Sequence, residues 1–359
     1  MIKPLQSLRF IAILFVFLSH LSFLQSTSHE FFFNRFLYGG YWGVTFFLVL
    51  SGFVMSYNYY DKFEKLEKND VKQFIRKRIK KLYPIHILTF FIALPFSLKI
   101  LIDSPIKEIG KIGLNMSLLH SFIPNNNVYF SFNSVSWYLS ACILFYILTP
   151  FLINLIHKVG KNKLHILGYG ILIYLFIFTL VYIGRYSNNA HWLFYISPFF
   201  RIFDYILGIL TGVYIKIIVK KNKNIFFYTL YEVLSLILFA SAYYFYPYIN
   251  QTFTYGVYYL PFVIFIIIMF GIQKGYISQL LSNPFLVYLG GISFEFYMIH
   301  QLVIRYITYI VGDNYPITIS IVCMVISIVS AILLNTGLNY YYAKFEFSKD
   351  RTSIKKLHN

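Results

Sequence analysis

ITISIVCMVISIVSAILLNTGL, residues 317–338, runs for 22 positions without a Lys, Arg, His, Asp or Glu. Wound as an α-helix at 1.5 Å per residue it reaches about 33 Å, the hydrocarbon thickness of a bilayer. A helix apolar on every face needs a fully apolar environment. The same reading extends outward along the chain: 5–24, 44–55, 164–183, 225–245 and 255–271 are almost free of Lys, Asp and Glu. Strands of a membrane barrel would alternate polar and apolar side chains over about ten positions, and that pattern is absent. Of 359 residues, 58% are hydrophobic and only 12% charged, whereas soluble domains carry about 25% charge. The chain reads as an all-α, polytopic membrane protein.

Ten spans are expected, at 5–24, 41–60, 83–102, 137–156, 164–183, 193–216, 225–245, 255–272, 285–308 and 317–338. With the N-terminus inside, 24 of the 31 Lys and Arg fall on the cytoplasmic side. They are Lys3, Arg9, nine between Lys62 and Lys81, then Lys158, Lys161, Lys163, Lys216, Lys220, Lys221, Lys223, Lys274, Lys344, Lys349, Arg351, Lys355 and Lys356. Arg35, Lys99, Lys107, Lys111, Arg185, Arg201 and Arg305 fall on the other side or in the outer halves of the spans. The positive-inside rule then puts both termini in the cytoplasm. The net charge of +18 is a topology signal, so membrane lipids are expected partners and nucleic acid is not. The organisation expected is one transmembrane domain, 1–340, and a short cytoplasmic tail, 341–359. The first run follows Lys3 as a secretory signal would. It lacks a small-residue cleavage site and contains Arg9 and His20, so it reads as a retained helix.

Ionisable groups inside a bilayer are costly and face a bundle interior. Here they are Arg9 and His20 in the first span, Arg201 and Asp204 in the sixth, and Glu295, His300 and Arg305 in the ninth; His86 and Glu232 lie nearer span ends. His20 and His300 each lie roughly 22 Å along their helices, which run in the same direction, so both imidazoles reach one depth. Arg9 is about 16 Å nearer the cytoplasm. Arg201 and Asp204, three apart, share a helical face and read as a mostly structural ion pair. Glu295 and His300, five apart, point to different faces. The stretch 61–82, DKFEKLEKNDVKQFIRKRIKKL, has two compatible readings: an interfacial helix on anionic lipid, or a dock for a phosphate-rich ligand. Of the two cysteines, Cys142 and Cys323, neither suggests a disulfide framework. There is no HExxH, P-loop, GxGxxG or metal-ligand cluster.

Six blocks, in order, resemble the bacterial membrane acyltransferase-3 family of O-acyltransferases that modify cell-surface glycans. They are LRFIAILFVFLSH (8–20), with Arg9 and His20 separated by ten residues; GVTFFLVLSGF (43–53), containing Ser51; and FIRKRIKKLYP (74–84). The others are SWYLSACILFY (136–146), containing Trp137; FRIFDYILGILTG (200–212); and LGGISFEFYMIHQ (289–301), which reaches His300. Cys142 stands where the family usually has Glu, which puts an acidic role at that position in doubt.

The resemblance implies transfer of an acyl group, most often acetyl from acetyl-CoA, to a hydroxyl of a surface glycan or lipid-linked sugar outside the bacterial cytoplasmic membrane. No permanently bound cofactor is implied; acyl-CoA is a substrate. Arg76, Lys77, Arg78, Lys80 and Lys81 would hold the donor's phosphates. Arg9, His20 and His300 would form the catalytic set, with His20 as general base or transient acyl carrier. Ser51, Trp137, Arg201, Asp204 and Glu295 are further intramembrane polar candidates. A transporter or flippase for a glycan or small anionic solute is the competing reading, because a polar path through a helix bundle fits it too. A transferase must release free CoA; a transporter need not.

Overall fold

The computed structural model describes residues 2–160, 162–218, 224–312 and 314–357, without the side chains of 26, 99–101 and 343–357. Lys99, Lys161, Lys220, Lys221 and Lys223, and the tail side chains Lys344, Lys349, Arg351, Lys355 and Lys356, lie outside that description. Twelve main helices organise the chain: α1 (Lys3–Ser19), α2 (Tyr41–Tyr59), α3 (Lys68–Ala93), α4 (Pro105–Met116), α5 (Trp137–Val159), α6 (Lys163–Gly184), α7 (Pro198–Ile218), α8 (Ile225–Phe245), α9 (Leu260–Ile272), α10 (Pro284–Gly291), α11 (Ser293–Val311) and α12 (Pro316–Leu357). No strand occurs among the described residues.

Among the described residues, seven helical segments are long and apolar enough to cross a membrane, and the pair α10 and α11, bent by 60°, makes an eighth if the two are one span. The other two expected spans form shorter helices: α1 has 17 residues and α9 has 13. The outside of the bundle is apolar, as its core is. Leu172 and Ile183 of α6, Phe226 of α8 and Ile321 of α12 are exposed, while Arg201, Asp204 and His300 are fully buried. An apolar outside around buried charged groups suits a lipid solvent, where polar groups must be satisfied inside the protein.

Three boundaries differ from the sequence reading. α1 stops at Ser19, with His20 as its C-cap, so the histidine sits at a helix end and not within a span reaching 24. The third span begins far earlier than 83: α3 starts at Lys68, runs through Pro84, and gives way at Leu94 to a short 3-10 turn. The basic run and the span are therefore one helix. The ninth span is broken between Gly291 and Ser293, where Gly290 lies so close to the Gln6 carbonyl that a side chain would collide with it. Glycine at a helix break is a recognised cause of kinks.

α2 and α7 pack closely through glycines. A Cβ on Gly52 would overlap the Tyr205 carbonyl, one on Gly208 the Val49 carbonyl, and one on Gly212 the Ser56 side chain. With little hydrophobic driving force between helices in lipid, such small residues let backbones approach and gain dispersion contacts. This explains the glycines of GVTFFLVLSGF and FRIFDYILGILTG as packing residues.

Candidate active site

α11 carries the polar stripe around which the site is built. Its His300 is fully buried, and Nδ1 lies 2.7 Å from the Tyr297 carbonyl and 3.2 Å from that of Phe296. A carbonyl only accepts, so Nδ1 of His300 carries the hydrogen and neutral His300 offers the lone pair of Nε2. His20 Nδ1 lies 2.8 Å from that Nε2, with the two rings stacked at 5.0 Å between centroids. His20 must then donate from Nδ1, which leaves its own Nε2 as a lone pair. No protein group among the described residues holds that nitrogen. Ending α1 at Ser19 lets the His20 ring leave the helix axis and meet α11.

His20 lines a cavity of about 540 Å³, which Tyr38, Tyr41, Trp137, His191, Tyr195, Tyr297, Ser134, Gln301 and Arg305 also border. Ser134 donates to Gln301 Oε1 at 2.5 Å, so the amide N–H groups of Gln301 remain for a ligand. The aromatic walls rest on one another: Trp137 lies against Tyr195, and Tyr41 meets Tyr195 and Tyr255 edge to face. Apart from Trp137, the sequence reading did not single out these walls. In a chain with 34 Tyr, no single tyrosine is a signal.

The other candidate residues separate into groups. Arg9 does not join the histidines; three turns along α1, its Nη1 lies 3.3 Å from Gln6 Oε1, and its charged neighbours include Glu295 and Lys81. Ser51 faces the Tyr146 hydroxyl in the same inner region. Glu295 accepts from Asn335 at 3.2 Å and keeps its second oxygen unpartnered among the described residues. Cys142 is buried beside Tyr138 and is not among the residues lining the His20 cavity.

The basic run divides by helical face. Arg78 donates to the Tyr59 hydroxyl at 3.0 Å, and Arg78 and Lys81 lie on the side of α3 turned to Arg9. At 100° per residue Lys77 lies beside Lys81, whereas Arg76 and Lys80 project from the opposite side. The five basic residues therefore do not converge on one point. At the same end Lys216 Nζ meets Asp61 Oδ2 at 2.8 Å, and that hydrogen bond holds the Asp61 carboxyl below the usual carboxylate range.

Arg201 and Asp204 pair at 2.9 Å, both fully buried. Arg201 also donates to the Tyr255 carbonyl at 2.8 Å and to Thr45 at 3.1 Å, tying α7 to α2 and to the segment before α9. The pair braces the wall of the His20 cavity from behind. Glu232 is a cap: its carboxylate accepts from the backbone N–H of Gly275, Ile277 and Ser278 and from the Ser278 hydroxyl. His86 ties α3 to the Asn115 carbonyl of α4 at 2.9 Å.

No group of three or more His, Cys, Asp or Glu side chains able to hold a metal occurs among the described residues. The arrangement offers an imidazole with a fixed tautomer beside a cavity, with Arg9 of α1 and the Arg78 and Lys81 side chains of α3 set apart from it.

Comparison with known proteins matches the chain to one family. The acyltransferase-3 family model, described as an acyltransferase domain, matches residues 3–336. Acyltransferase MdmB of Streptomyces mycarofaciens is 28% identical over 280 residues, covering 73% of this chain and 68% of that protein. Putative acetyltransferase ORF330 of Acidianus two-tailed virus is 27% identical over 269 residues, covering 73% of each. No solved structure matches. The six sequence blocks, the helical membrane bundle built from them and this match over nearly the whole length agree: the chain belongs to the acyltransferase-3 family of membrane acyltransferases.

Proposed function

We propose that this acyltransferase moves an acetyl group from cytoplasmic acetyl-CoA to a hydroxyl of a glycan on the opposite side of a bacterial cytoplasmic membrane. The observation that carries the reading is the His20–His300 pair, which leaves a lone pair on His20 Nε2 at the border of the cavity. The acceptor hydroxyl binds in the cavity and its oxygen attacks the thioester carbonyl while His20 Nε2 takes its proton. The resulting imidazolium is stabilised because Nδ1–H already donates to His300. The tetrahedral intermediate collapses, the C–S bond breaks, and the CoA sulfur takes the proton back from His20. The products are an O-acetyl ester and free CoA.

The donor enters from the end where Lys77, Arg78 and Lys81 hold its phosphates, with the pantetheine arm running past Arg9 toward His20. The separation of Arg9 and His20 along α1, about 16 Å, is within reach of that arm. Ester formation on the far side of the membrane fits a base and a phosphate site at opposite ends of one bundle. Membership of an acyltransferase family favours this reading over transport.

The test is CoA release by purified, membrane-reconstituted protein supplied with acetyl-CoA and de-O-acylated surface polysaccharide. General base help is typically worth 10²–10⁴-fold, so His20→Ala should lose transfer by that factor while keeping its unfolding temperature and acetyl-CoA affinity. A His20→Ala protein that transfers within a few-fold of wild type removes the proposed mechanism.

A further inference from the structure

A second cavity, of about 320 Å³, adjoins the first and has no part in the chemistry above. Phe130 and Arg305 line both, so the two spaces meet at these side chains. The rest of its lining includes Glu108 and Lys111 of α4, Asn126, Asn127 and the rings of Phe96 and Phe132. Amides and a carboxylate set between phenyl faces suit a polyhydroxylated ligand, whose hydroxyls donate and accept and whose C–H faces cover the rings.

The charges indicate what that ligand carries. Lys111 Nζ lies 2.6 Å from Glu108 Oε1, and the two neutralise one another. Arg305 has no carboxylate partner among the described residues. Its Nη1 donates to the Phe132 carbonyl at 3.0 Å, and its guanidinium carbon sits 4.3 Å from the centre of the Phe96 ring. Guanidinium has five N–H donors, and one such bond leaves most of them without a protein acceptor. A partly buried cation lacking a counter-charge is costly until a ligand brings one.

We propose that the second cavity is an acceptor subsite, which takes the sugar unit adjoining the one acylated at His20, and that Arg305 at the junction binds an anionic group of that acceptor. This rests on the glycan-acceptor reading above. It adds that the acceptor is a chain, is negatively charged, and is recognised over at least two units.

The experiment measures binding and not turnover, so failure of the acyl-transfer mechanism leaves its result intact. The probes are fragments of the host cell's surface polysaccharide, de-O-acylated with mild base and sized to one and to four sugar units. Affinity is read from thermal stabilisation of the full-length protein in nanodiscs. The four-unit fragment should bind more tightly than the single unit. Its affinity should fall about tenfold or more in Asn126→Asp/Asn127→Asp and in Arg305→Gln, since hydrogen bonds to charged groups carry that much. Asn126→Lys/Asn127→Lys, which places the opposite charge on the same rim, should hold or tighten it. Equal binding of the two fragment sizes, Asp and Lys variants that behave alike, or no binding of either fragment would each overturn the proposal.

Discussion

His20 Nδ1 lies 2.8 Å from His300 Nε2 although 280 residues separate the two in sequence. The Tyr297 carbonyl at the far side of His300 sets the direction of the whole chain. Carbonyl accepts, His300 passes the donor requirement to His20, and the lone pair emerges at the cavity. The hydrogen-bond order is thus anchored on the backbone of α11 and requires no carboxylate.

In the proposed mechanism His300 is a positioning residue. His300→Phe keeps an aromatic ring against Phe17 and Phe296 but removes the acceptor that fixes the His20 tautomer. Loss of such an orienting partner is typically worth about 10–100-fold. Steady-state kinetics should place that loss in kcat with acetyl-CoA affinity unchanged. Because the two histidines act as a unit, His20→Ala/His300→Phe should be hardly slower than His20→Ala. Additive losses would show that they act separately.

The two faces of α3 provide a control within one helix. Arg78→Gln/Lys81→Gln neutralises the side turned to Arg9 and should weaken acetyl-CoA binding at least tenfold, the size expected for lost charge-assisted phosphate contacts. Arg76→Gln/Lys80→Gln removes the same charge from the opposite side and should change it by less than threefold. Calorimetric titration of acetyl-CoA decides between the faces, and equal effects would mean that only the overall charge matters.

Orientation follows from the basic asymmetry. A single cysteine placed at Lys65, in a background lacking Cys142 and Cys323, should resist an impermeant thiol reagent in intact cells. One placed at Asn127 should react. The reverse labelling would invert the assignment of the donor and acceptor ends.

Removing one partner of the Arg201–Asp204 pair leaves a buried charge. Breaking such pairs costs about 3–5 kcal/mol, so Asp204→Leu should lower the thermal unfolding temperature strongly. Arg201→Leu/Asp204→Leu should recover part of that loss, because neither charge is then stranded. A double variant as unstable as the single one would show that the bonds to Tyr255 and Thr45 matter more than the charge balance.

Glycine contacts make a separate stability prediction. Gly208→Ala drives a methyl into the Val49 carbonyl across the α2–α7 contact, and overpacking of this kind costs about 1–3 kcal/mol. Gly168→Ala on α6 meets open space and should be neutral or slightly stabilising, since alanine favours helix. Unfolding temperatures of the two variants measured side by side test this.

Much of this protein was fixed by sequence alone, for a physical reason: bilayer insertion depends on local hydropathy over about twenty residues and on nearby Lys and Arg. Residues 317–338 need no partner to be read as a span. Counting residues also set His20 and His300 at one depth, since rise per residue is constant, and the ordered blocks from Arg9 to His300 carried the family resemblance. Tertiary structure decided what depends on azimuth and on distant neighbours. It ended α1 at Ser19 so that His20 meets α11, and it bent the ninth span at Gly291. It joined the basic run to the third span as one helix and turned Arg76 and Lys80 away from Arg78 and Lys81. Tyr41, Tyr195 and Gln301 came together around His20 from separate segments. Nothing local marks such residues, because a side chain's direction is set by helix packing, and packing is decided by every other helix in the bundle.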